Sequence, residues 1–182
     1  TAGLAVVADM QAGSISTIDL STYAVSKIAL PAESRPYDVA VSAAANKALI
    51  SMPMANSFLI LDLGNGAVTT VDAGAWNAMG PGAIATNGSL GFIANMMTAS
   101  ITVVDLAAGN VARTFPVDPG PRALAVNAAK NQLLVLAEGT GTLDAVDLGT
   151  YSLTTRLDAG ATERQGNWQL ASISSMTPAA AA

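Results

Sequence analysis

Four aspartates, Asp19, Asp62, Asp105 and Asp147, recur every 42 or 43 residues and invite a metal-binding or acid–base reading. Each falls in one copy of a repeated pattern: Ser14 to Leu20, Ser57 to Leu63, Ser100 to Leu106 and Thr142 to Leu148. The repeat argues against a shared site, because equivalent positions in successive structural units stand well apart. Each Asp also precedes a stretch rich in Ser, Gly, Asn or Thr, where a carboxylate accepts backbone N–H bonds two residues on. The four therefore read as turn anchors. The chain has neither Cys nor His, which removes disulfides, thiol nucleophiles, Cys/His zinc sites and Ser-His-Asp catalysis. No catalytic residue and no metal ligand is assigned. No cofactor is expected, since no Gly-rich phosphate loop leads from a strand into a helix.

Two other groups of residues have the chemistry of recognition. Arg35, Arg122 and Arg164 fall in the segments that join one repeat to the next, with Trp76, Asn77 and Met79. Arginine presents a planar fork to carboxylates or phosphates, and Trp is a common interface anchor. The competing reading pairs Arg35 and Arg122 with Glu33, Asp38 or Asp118 at the surface. Met10, Met52, Met54, Met96 and Met97, five of the seven methionines, lie at equivalent loops of three successive repeats. Thioethers could ligate Cu(I), form an adaptable apolar contact surface, or pack between repeats; without His or Cys beside them copper is disfavoured. Asn87-Gly88-Ser89 fits a glycosylation sequon and also a type I′ hairpin turn, and the turn is preferred.

These residues sit in a chain of 182 residues, long enough for one domain with its own core. Half of it is apolar and only 12% is charged, which favours a packed chain over a disordered acidic one. The net charge is −5, and the eight basic residues are scattered, so no nucleic-acid surface is expected. The uncharged run from Ala73 to Val104 is interrupted by Gly80-Pro81-Gly82, Asn87-Gly88-Ser89 and Gly91, which argues against membrane insertion.

Each repeat reads as four short strands of β-branched and aliphatic residues bounded by Gly, Asn, Asp and Pro. In the second repeat these are Tyr37 to Val41, Lys47 to Ser51, Ser57 to Leu61 and Ala67 to Val71. No apolar period of 3.6 residues runs long enough for a helix. Four strands in about 43 residues is the pattern of a propeller blade. The expected fold is all-β, a β-propeller of four-stranded antiparallel blades with about four blades present. Repeats lie near 4–30, 36–72, 81–117 and 121–157 within a domain of residues 1–175, followed by a low-complexity tail, 176–182. The first repeat lacks its opening strand. A strand near 167–173, around Trp168, could supply it and close a small ring; otherwise the blades form part of a larger ring completed by other polypeptide.

The blades resemble YVTN-type β-propeller repeats. The resemblance is carried by Phe92-Ile93-Ala94-Asn95, then Ile101-Thr102-Val103-Val104-Asp105, then Pro119-Gly120-Pro121-Arg122-Ala123-Leu124-Ala125-Val126. It spans about Leu4 to Leu157 and departs most after Asp158, where Ala161-Thr162-Glu163-Arg164 has no Pro. The resemblance implies a periplasmic or cell-surface location and a non-catalytic binding or assembly module, with a protein partner or further blades. It also implies an alternative, because similar propellers occur in lactonases and in cofactor-dependent periplasmic oxidoreductases. A lactonase-like site would have to draw on Asp38, Asn77, Asp118 and Glu163, which share no repeat position.

Overall fold

In a computed structural model of the chain, residues 3–31, 34–72 and 82–159 are described. They form four antiparallel sheets. The first holds β1 (Leu4–Asp9), β2 (Ser14–Asp19) and β3 (Val25–Ala29); the second holds β4 (Val39–Ser42), β5 (Lys47–Met52), β6 (Ser57–Asp62) and β7 (Val68–Asp72). The third is β8 (Ile84–Asn87), β9 (Leu90–Asn95), β10 (Ser100–Asp105) and β11 (Asn110–Pro116). The fourth is β12 (Pro121–Asn127), β13 (Gln132–Ala137), β14 (Thr142–Asp147) and β15 (Ser152–Asp158). Two 3-10 turns, Pro53–Ala55 and Ala128–Lys130, are the helical elements among the described residues. Each sheet is a meander in which neighbours in sequence are neighbours in space. β4 packs beside β8 and β8 beside β12, so the first strand of each of these blades lies innermost. This is the propeller architecture that the repeat period predicts, with no innermost strand in the first sheet among the described residues.

The period-2 alternation of each strand divides its side chains between two neighbouring blades. In β6, Phe58 and Ile60 join a buried cluster with Ile84, Ile93 and Val104 of the third blade, whereas Leu59 and Leu61 face Ile15 of the first. In β10, Ile101 and Val103 meet Leu133, Val135 and Val146 of the fourth blade. Both faces of the inner blades are buried, so their strands read as nearly continuous apolar runs. Gly91 shows how closely blades approach: a Cβ there would stand 2.4 Å from Leu49 Cδ2 of the preceding blade.

The inner strands are also stitched by polar bonds. Asp38 Oδ2 accepts the Ile84 N–H at 2.9 Å, Thr86 Oγ1 donates to the Val41 carbonyl at 3.0 Å, and Ser42 Oγ donates to the Gly88 carbonyl. One local expectation differs. Asn87 is the last residue of β8, so the turn is Gly88-Ser89, with positive φ only at Gly88, the first central position. That fits a type II′ turn, not the I′ turn read from Asn87-Gly88. The strand proposed around Trp168 and the 176–182 tail lie outside the described residues.

Candidate functional site

The repeated aspartates behave as the turn chemistry requires. Asp19 Oδ1 accepts the N–H groups of Ser21 and Thr22, and Asp62 Oδ1 those of Gly64 and Asn65. Asp105 holds Ala107 and Ala108 in the same way, and Asp147 holds Gly149 and Thr150. Each turn closes on a residue with positive φ: Tyr23, Gly66, Gly109 and Tyr151. Hydrogen bonds to the ionised carboxyl, from Ser21 at Asp19, Lys47 at Asp62 and Thr150 at Asp147, hold these three below the usual carboxylate range. All four lie on the face opposite to the repeat-joining loops, one per blade. Among the described residues no three of His, Cys, Asp and Glu gather into a possible metal site.

The loops between second and third strands and the loops joining blades share the other face. Backbone bonds tie them together: Leu30 N–H to the Gly13 carbonyl, Val117 N–H to Ala99, and Glu138 N–H to Gly120. The tightest approach is at Gly139, where a Cβ would meet the Pro119 carbonyl oxygen at 2.6 Å. Arg122 reaches across this face. Its Nη1 lies 3.3 Å from Glu138 Oε2 and points at Met96 Sδ of the preceding blade, 3.8 Å away. The competing pairings of Arg35 and Arg122 with Asp118 and Asp38 do not form, and Glu33 lies outside the described residues. Asp118 instead binds Arg156, and Asp38 takes the amides of Val39 and Ile84, its carboxyl pushed up by burial.

Arg35 is exposed and makes no ion pair among the described residues. It borders an open cavity of about 460 Å³ lined by Met10, Gln11, Gly13, Leu30, Pro31 and Arg35. The methionines divide. Met54 and Met97 are 66% and 69% exposed and Met10 is exposed too, so three adjacent blades present a thioether to solvent on this face. Met52, at 3% exposure, packs into the core with Ile15, Ile50 and Leu61. Met96 is half-buried and, with Met52 and Asn95, lines a cleft of about 30 Å³ between the second and third blades. Trp76, Asn77, Met79 and Arg164, and Glu163 of the lactonase-like set, lie outside the described residues.

Sequence reasoning missed one charged cluster. Asp144 in β14 is buried and accepts from Arg156 Nε at 2.9 Å, while Arg156 Nη2 also donates to Asp118. Asp118 Oδ2 in turn accepts from Thr142 at 3.0 Å. The signal was an Asp where the third strand of the other blades carries Ser16, Leu59 or Thr102. Its partner, Arg156, is visible only through the register that sets Asp144 opposite it.

No protein-family model and no curated protein sequence matches the chain. Solved structures do. A streptogramin B lyase is similar with a TM-score of 0.73 at 15% identity, over 87% of this chain and 53% of that one. Virginiamycin B lyase from Staphylococcus aureus gives 0.70 at 16% identity, over 84% and 51%, and Kuenenia stuttgartiensis hydrazine synthase gives 0.67 at 17%, over 83% and 44%. At these identities the likeness shows a β-propeller fold and nothing of activity. The chain spans about half the length of these structures.

Proposed function

We infer that this chain is a non-catalytic β-propeller module that binds a partner through its loop face, outside the cytoplasm, as its YVTN-like repeats imply. One observation carries the reading: Arg35, which makes no ion pair among the described residues, borders an open cavity whose wall includes Met10. A guanidinium beside a thioether suits a ligand that combines a carboxylate with an apolar side chain. The exposed Met54 and Met97 extend the same apolar character over the next two blades. The described carboxylates support the reading from the other side, because the repeated Asp residues, Asp38 and Asp118 are engaged in turns, amides or ion pairs. The alternative, a propeller portion of a lactonase-like hydrolase or a cofactor-dependent oxidoreductase, would need its reactive groups from beyond the described residues.

The test is fluorescence polarisation with a panel of labelled peptides that carry Asp or Glu beside Leu, Met or Phe. At least one should bind, and Arg35→Ala should weaken it about tenfold, a loss of about 1.4 kcal/mol. Arg113→Ala should leave binding unchanged, because Arg113 stacks on Tyr151 at the outer rim. Peptide binding that ignores Arg35→Ala, or turnover of lactone substrates by the purified chain, would contradict the proposal.

A further inference from the structure

We propose that two copies of this chain close one ring head to tail, the outer face of the fourth blade in each packing on the outer face of the first blade in the other. Among the described residues, three buried clusters join the first blade to the second, the second to the third and the third to the fourth. None joins the fourth to the first. Among the described residues the four sheets thus form an arc with two ends.

Both ends carry the residues that the internal contacts use. On the side facing the next blade, the third strands contribute Ile15, then Phe58 and Ile60, then Ile101 and Val103, all buried. The equivalent positions in β14 are Leu143 and Ala145, which are only half-buried, with Leu134 beside them in β13. Leu157 of β15, paired with Leu143, is 55% exposed. On the side facing the previous blade, the second blade buries Ala48, Ile50, Leu59 and Leu61 completely or nearly so. The first blade has Ala5, Val7, Ser16 and Ile18 at those positions, with Val7 45% exposed. Flat apolar sheet faces of this kind are seldom left to solvent.

What fits each end is therefore a blade of this same repeat presenting its opposite face. A second copy offers it at both ends, so each contact continues an interface already used three times within the chain. A head-to-tail contact closes when its rotation returns on itself, and with two copies it does so after two identical contacts. The inference rests on the propeller architecture and not on the loop-face reading, so either can fail without the other.

The test is light scattering on the purified chain over a dilution series. The expected mass is twice that of the 18.2 kDa chain. Leu143→Glu and Val7→Glu should each yield single chains. An equimolar mixture of the two variants should regain a two-chain species, because one undamaged contact remains. Circular dichroism verifies that each variant is folded, and Leu157→Glu, on the exposed β15, replaces Leu143→Glu if that variant unfolds. A wild-type chain that stays single, open polymers, a dimer indifferent to both substitutions, or a mixture that stays single at the top concentration would each overturn the proposal.

Discussion

Asp19, Asp62 and Asp147 each spend one carboxylate oxygen on two backbone amides of the turn that follows. Their folded pKa values lie below the ordinary aspartate value, so the stability they contribute is present above that ordinary value. It is lost as pH falls through the lowered folded values. Asp38 runs the other way: burial raises its folded pKa, so its protonation on acidification favours the fold. The three turn residues should dominate. The thermal midpoint is expected to fall as the pH drops below about 4, and replacing all three with Asn should flatten that slope. An equally steep slope in the triple variant would show that the acid sensitivity arises elsewhere.

At the scale of elements, the blade interface depends on close approach as much as on apolar area. Gly91 opposes Val104 across β9 and β10 and lets Leu49 of the neighbouring blade sit over the backbone. Its conformation does not demand glycine, so the requirement is one of space. Gly91→Val should cost about 1–3 kcal/mol by overpacking, read as a lower denaturant midpoint with an unchanged slope. A neutral result would mean that Leu49 has room to turn aside. Strand positions were legible in the sequence because each short run ends in residues that turn the chain. The four Asp turns were legible for the same reason. Less legible was the division of the methionines: Met52 and Met54 are two residues apart, yet one ends β5 in the core and the other lies exposed in a 3-10 turn. A strand boundary decides that, and spacing alone does not fix it. The link from Asp144 to Arg156 and Asp118 joins residues 12 and 38 positions apart, and only the register of β14 with β15 brings them together.

Among the described residues the molecule is a set of repeated blades whose contacts recur, which makes the two end faces its most informative surfaces. Repeat spacing revealed the blades. It left the completion of the ring open between a strand near Trp168 and other polypeptide. The end faces favour a third answer, a second copy. The most direct measurement uses the absence of cysteine from the chain. Ile60 and Val104 share a buried cluster between the second and third blades, and their equivalents at the two ends are Ala145 and Ile18. Chains carrying both Ala145→Cys and Ile18→Cys, oxidised at low concentration and run without reductant under denaturing conditions, should migrate as a covalent two-chain species. Chains carrying either substitution alone should not. A double variant that stays single after oxidation, with its thiols still free, would contradict the account.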